Sequence, residues 1–428
     1  MKRPYLGWYA LIALLALAPA GARLLAWRVT RSPEVDAAMA AAGQTLFAHA
    51  WKPKDPLSPG GDGLGPVFNA NSCVACHHQG GPGGSGGIEH NVTTFVVRPE
   101  ANGGIAREGV VHAFAIKTQF KESLAQVDRT MPNTSQPSLT QLTAVRNDSR
   151  HCERRAAPRS VHFSQRNTPA LFGAKLIDEI PERVMIANER SEQLRWGLAT
   201  SKDENLPVGR ALRLANGRVG RFGWKAQTAN LSDFVQAACA NELGLGNPGQ
   251  HEPRPLSKPE YEPCGLDLTA EQCDQLTAFV ASLPRPVERL PDDPIGSQQA
   301  REGKRLFGAI GCASCHTPDL GSVEGLYSDL LLHRMGQPLE GGGSYNEPAL
   351  PVPDFPSGEG PQPGEWRTPP LWGVADSAPY LHDGRAETLE AAIQLHGGQG
   401  ARSAERFKAL SSAEQKQLVA FLQTLRAP

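Results

Sequence analysis

The feature that most constrains this 428-residue chain is a doubled motif. Cys73-Val74-Ala75-Cys76-His77 and Cys312-Ala313-Ser314-Cys315-His316 each set two cysteines two residues apart, with histidine directly after. That is the pattern for covalent attachment of haem c. The short spacer holds both sulfurs along one edge of a macrocycle. The histidine then lies under the ring as proximal ligand, offering a neutral imidazole nitrogen to iron. Each motif follows a stretch of helical spacing that ends in a Leu-Phe pair, Leu46-Phe47 and Leu306-Phe307. Zinc is disfavoured because neither motif has a second Cys/His pair at the usual spacing.

Around the motifs the chain repeats itself. Arg166-Asn167-Thr168-Pro169-Ala170-Leu171-Phe172-Gly173 returns as Arg367-Thr368-Pro369-Pro370-Leu371-Trp372-Gly373, and Lys225-Ala226-Gln227-Thr228 as Arg385-Ala386-Glu387-Thr388. Amphipathic stretches at 268–283 and 411–425 close the two units, and the Pro-rich segment 283–294 links them. The fold expected is mainly α, a tandem pair of cytochrome c-like helical domains over residues 29–288 and 289–428. A loop- and strand-rich insertion at about 88–160 is expected in the first, with strand alternation from Val92 to Val97. The run from Gly80 to Gly87 is nearly all glycine and reads as a flexible loop over or beside the first haem.

The formal net charge of −1 gives no argument for nucleic-acid binding. Residues 1–28 carry Lys2 and Arg3 before an uncharged run, the composition of an export signal. Cleavage after small residues near Ala20 or Ala22, or retention of residues 4–27 as an inner-membrane anchor, both fit. Either places the bulk of the chain outside the cytoplasm, in the periplasm, with membrane contact only if the segment is retained. Four cysteines lie outside the haem motifs: Cys152, Cys239, Cys264 and Cys273. They read as structural, and Cys264 and Cys273 are close enough in sequence to close a small loop.

The motifs together resemble the bacterial di-haem oxidoreductase family, also labelled thiol-oxidoreductase-like. More distantly they resemble the di-haem cytochrome c peroxidases and the di-haem enzyme that matures tryptophan tryptophylquinone. The resemblance rests on Gly63-Leu64-Gly65-Pro66, Asn69 and Ser72-Cys73, Arg166 with Thr168-Pro169-Ala170-Leu171, Gly220-Arg221-Phe222-Gly223-Trp224-Lys225, Asn241-Glu242, Tyr327 to His333, and Pro379 to Arg385. Two departures stand out: Arg334 where the family usually has an acid, and Leu243 where methionine is common.

What faces each iron opposite His77 and His316 decides the chemistry, since a haem with two protein ligands transfers electrons and an open one binds peroxide or dioxygen. For the second haem the leading candidate is His396, whose position resembles that of the axial methionine in the peroxidase relatives; His333, Met335 and His382 are rivals. For the first haem the resemblance implies Glu242 as a distal acid, with a pKa raised by burial. His90 is the alternative, reached through the glycine-rich run. Trp224 matches a tryptophan that relays electrons between the haems of the relatives, and packing is its plainer role. The resemblance also implies a Ca2+ ion between the domains. Two functions stay open: a peroxidase-like enzyme with one reactive and one electron-transfer haem, or a plain di-haem electron-transfer cytochrome. The electron donor would be a small protein or a quinol-linked donor, and the substrate a peroxide, oxygen, an organic molecule or a protein.

Overall fold

Two helix pairs carry the architecture, and both are built in the same way. A computed structural model describes residues 36–99, 107–138, 140–142, 159–197, 205–345 and 360–428. Helix α1 (Ala37–Ala48) precedes the first CxxCH motif, and α2 (Glu182–Gly197), α3 (Leu231–Leu243) and α4 (Ala270–Ser282) follow it. Helix α5 (Pro294–Ala309) precedes the second motif, followed by α6 (Leu389–Gln394), α7 (Ala401–Ala409) and α8 (Ser412–Leu422).

The closing helices α4 and α8 both begin with a capping box. Thr269 pairs with Gln272 and Ser411 with Glu414, so orphan N–H groups of the first turn are satisfied in both directions. Helix α1 packs on α4 and α5 on α8. Each crossing is close because a glycine sits at it: a Cβ on Gly43 would overlap the carbonyl of Gln275, and one on Gly303 that of Gln417. Gly303→Ala is therefore expected to lose about 1–3 kcal/mol of stability, despite alanine's better helix propensity, because the overlap is with backbone. Urea unfolding of the haem-loaded protein measures it.

The first core gathers Leu46, Phe47, Leu231, Cys239, Leu276 and Phe279, and also takes Leu320, Leu326 and Trp372 from the second half of the sequence. The second core holds Leu306, Phe307, Tyr327, Phe407, Leu418 and Phe421. Residues 37–428 form one compact unit.

Between the first haem motif and α2 lies a three-stranded antiparallel sheet of β1 (Val92–Pro99), β2 (Arg107–Val111) and β3 (Arg159–Arg166), with β1 central. The alternation at Val92–Val97 thus does mark a strand. Its apolar face forms a small separate core with Phe95, Val97, Val111, Leu124 and Phe163. Strand β3 runs directly into the Asn167-Thr168-Pro169 turn, which is how the insertion reaches the haem region.

Two sequence expectations change here. The Gly80–Gly87 run is a tight, defined turn rather than a loose loop: Gln79 and Ser85 bridge it, and Cβ atoms on Gly84 and Gly86 would overlap the carbonyls of Gln79 and Cys76. Glycine serves close approach here, not flexibility. Cys264 and Cys273 are both free thiols, the first exposed and the second buried on α4, so sequence proximity does not bring them together. Cys239 is free and buried in the first core. Cys152 and residues 1–28, read above as an export signal or anchor, lie outside the described residues. Among the described residues, no helix is long and apolar enough to cross a membrane.

Candidate haem centres

Each CxxCH motif sits at the wall of a cavity, and the repeat seen in the helices continues into the sites. Cys73, Cys76 and His77 line a cavity of about 560 Å3, and Cys312, Cys315 and His316 one of about 390 Å3. The phenylalanine of each Leu-Phe pair flanks the proximal ring: Phe47 is 6.2 Å from His77 and Phe307 6.4 Å from His316, centroid to centroid.

His77 donates through Nδ1 to the carbonyl of Gly84 (3.1 Å), and His316 to that of Tyr327 (3.0 Å). A carbonyl can only accept, so Nδ1 carries the proton and Nε2 is left as the lone-pair nitrogen a metal needs. Burial pulls both pKa values down to about 4, so both rings are neutral at physiological pH. The tight glycine turn thus orients the first proximal histidine. Burial also pushes the thiols of Cys73 and Cys312 up to about 12, so without a bound group both are neutral thiols. Neutral, oriented imidazoles beside paired thiols in a cavity fit covalent haem.

In the second cavity His396 lies on the lining with His316 and is close enough for its charge to act on that ring. Its Nδ1 donates to Ala392 O (2.8 Å), again leaving Nε2. Met335 is its neighbour: a Cβ on Gly400 would meet His396 Cβ at 3.1 Å and Met335 Cε at 3.2 Å. The rival His333 is buried with both nitrogens occupied, Nε2 on Asp329 (2.8 Å) and Nδ1 on Gln399 (2.9 Å). His382 stacks on Trp366 at 3.7 Å.

In the first cavity Glu242, on the last turn of α3, lies with Cys73, Cys76 and His77 on the lining. Among the described residues of that lining, His77 is the only histidine and there is no methionine. Glu242 Oε2 accepts from Asn69 Nδ2 (2.8 Å), and the Asn69 amide is oriented by its own Oδ1 accepting from Ala113 N (2.9 Å). Glu242 Oε1 is buried with no hydrogen-bond partner. Burial raises the Glu242 pKa, opposed by Tyr345, Asn69 and the charge of His112. His112 is buried and faces acceptors on both sides, Glu122 at 2.9 Å and Asn241 O at 3.0 Å. Burial disfavours its charge, but the Glu122 carboxylate outweighs this and raises its pKa. His90 does not line the cavity; it packs edge-on against His78 and lies 3.7 Å from Glu89.

The sequence profile of the di-haem oxidoreductases matches residues 141–425, two thirds of the chain. The chain belongs to the di-haem oxidoreductase family. Curated relatives include the cytochrome-c peroxidase IdrP2 of Pseudomonas sp. (strain SCT), 32% identical over 153 residues, covering 30% of this chain and 40% of that protein. The methylamine utilization protein MauG of Methylorubrum extorquens is 30% identical over 145 residues, covering 32% of this chain and 37% of that one. The chain thus spans about two fifths of the length of each. Among solved structures, hydrazine synthase of Kuenenia stuttgartiensis aligns over 99% of this chain and 96% of its own, at 15% identity and a TM-score of 0.40. A likeness at that level carries no argument.

Haem c cofactors follow from membership of the di-haem oxidoreductases, two by the family's description. Trp224 lines both cavities, together with Asn167, Thr168, Pro169 and Phe222. Its Nε1 donates to Asn167 O (2.9 Å) and its carbonyl accepts from Arg367 N (2.9 Å), tying the two repeated turns together. The first lining also contains Tyr345, Arg166 and Glu108. Sequence reasoning singled out Arg166 only as part of a repeated motif and missed Tyr345 and Glu108, which come from a loop and a strand of weakly patterned segments and reach the lining through the fold. Two haem masses on the purified chain, falling to one in the Cys312→Ala/Cys315→Ala variant, are the expected mass-spectrometric result.

Proposed function

We propose that this di-haem oxidoreductase is a peroxidase-like enzyme, with an electron-transfer haem in the second unit and a peroxide- or oxygen-reactive haem in the first. The observation that carries this reading is the asymmetry of the two cavities. One offers a second imidazole, His396; the other offers a buried carboxyl, Glu242, with an unpartnered oxygen and no second histidine or methionine on the described lining. When bound, the haems supply one-electron redox chemistry and, at an open coordination position, peroxide reduction.

The chain's own residues then divide the work. His77 and His316, on the cavity linings and oriented through Nδ1 by backbone carbonyls, are the residues that would hold the irons. Burial favours the neutral form of Glu242, which suits this carboxyl to deliver a proton from the buried Oε1 as general acid. Asn69 fixes the other oxygen, and the His112–Glu122 pair braces the end of α3 through Asn241 O. Trp224 bridges the two linings as electron relay. Electrons come from a small donor protein or a quinol-linked donor. Export to the periplasm, in the tandem two-domain arrangement read from the sequence, completes the proposal.

Electron paramagnetic resonance of the purified ferric protein tests it. One high-spin and one low-spin haem in equal amounts are expected. Two low-spin centres would instead identify a di-haem electron-transfer cytochrome.

A further inference from the structure

Away from both haem cavities, three carboxylates converge where the loop before the first motif, the exit of α3 and the approach to α4 meet. Asp62, Glu252 and Asp267 each offer an oxygen, and these oxygens lie within 4.8 Å of one another. Glu252 is 2% and Asp267 1% exposed. Asp267 is fully employed, with Oδ1 accepting from Gly63 N (2.7 Å) and Oδ2 from Gly246 N (2.8 Å). Glu252 Oε1 accepts from Cys264 N (3.3 Å). The remaining oxygens are the telling ones: Glu252 Oε2 and Asp62 Oδ1 are both buried with no partner at hydrogen-bond distance, and the neutral Tyr261 hydroxyl near Glu252 eases its charge without balancing it.

Neighbouring buried carboxylates without a counter-charge are costly. Among the described residues no ion pair within 4.0 Å reaches any of the three; Lys117 acts on Asp62 only through its field. The cluster is also closely shaped. A Cβ on Gly61 would overlap Asp267 Oδ1, and one on Gly65 would stand 2.9 Å from Glu252 Oε2. Burial and the neighbouring acids push Glu252 up to about 8 and Asp267 to about 6, so the group is paid for either by protons or by a cation.

We propose that Asp62, Glu252 and Asp267 form a Ca2+ site. The donors are all oxygen, as a hard cation requires, and no histidine or thiolate belongs to the group. Oxygens this far apart can surround one ion at the roughly 2.3–2.6 Å typical of calcium. An irregular site made by loops suits calcium better than magnesium, which demands near-ideal octahedral geometry. All three acids belong to the first unit of the sequence, so this is not the ion that family resemblance implies between the domains. Its effect is local and specific: it clamps residues 62–65 to the exit of α3, next to Asn69 and Glu242.

The test uses the haem-loaded full chain treated with a chelator, followed by calorimetric titration with CaCl2 and thermal unfolding. Calcium is expected to raise the unfolding temperature. Glu252→Gln should lose one equivalent of bound calcium, and Asp62→Asn, at a half-buried position that folding tolerates, should bind that equivalent at least tenfold more weakly. Unchanged calcium stoichiometry and affinity in Asp62→Asn would overturn the proposal. So would an equal response of the wild type to MgCl2, or stabilisation by Glu252→Gln of a chain that takes up no calcium, which marks a proton-sharing cluster. None of these readouts depends on peroxide activity, so the site stands or falls separately from the enzymatic reading.

Discussion

Glu242→Gln is expected to slow the reaction with hydrogen peroxide by about two to four orders of magnitude, the usual worth of general acid–base assistance, at normal haem content. Glutamine keeps the size of the side chain and an oxygen to accept from Asn69 Nδ2 (2.8 Å), as the carboxyl does. What it removes is the transferable proton at Oε1, the oxygen without a partner. Because burial raises the Glu242 pKa, the wild-type group is a better proton reservoir near neutral pH than a solvent-exposed glutamate. Asn69→Ala is the companion variant: it leaves the proton and removes the fixing bond, so its loss of rate should be the smaller. Stopped-flow traces normalised to haem measure both. Equal rates for wild type and Glu242→Gln would leave the first unit as an electron carrier.

The sequence disclosed most about those parts of the protein whose chemistry is local. The CxxCH signature at Cys73–His77 and Cys312–His316 is a five-residue property, and the repeated helices follow from spacing that any amphipathic segment must keep. Even the glycines at the α1–α4 and α5–α8 crossings sit at matching places, Gly43 and Gly303, just before the Leu-Phe pairs. Long-range placement was not legible. Tyr345 stands near Glu242 although about a hundred positions separate them, and nothing in Gly341-Gly342-Gly343-Ser344-Tyr345 announces a partner. The Gly80–Gly87 turn was misread for a related reason. Glycine content speaks of backbone freedom, whereas here the missing Cβ atoms admit the neighbouring carbonyls that fold the turn under His77. His90 shows the limit of reach arguments, because a loop able to bring it to the first cavity packs it on His78 instead.

At the other haem the largest effect belongs to His396. His396→Ala is expected to convert the second centre from low spin to high spin, or to a low-spin centre with a weaker ligand. Two features of the site choose between these outcomes. The wild-type ring is held by Nδ1 on Ala392 O, so its removal would vacate that part of the lining without disturbing the His316–Tyr327 link. Met335 lies beside the vacated position, its Cε and His396 Cβ both packed at Gly400, and methionine is adaptable enough to swing into a gap. His333 is a poor substitute, since freeing either nitrogen would break its bond to buried Asp329 or to Gln399. The expected spectrum is therefore that of a histidine–methionine centre, with a raised reduction potential, as thioether ligation gives. The double variant His396→Ala/Met335→Leu should then be high spin, so that both haems of the protein are open. An unchanged low-spin spectrum in the single variant together with an unchanged potential would remove His396 from the iron and return His382, now stacked on Trp366, as the ligand to test.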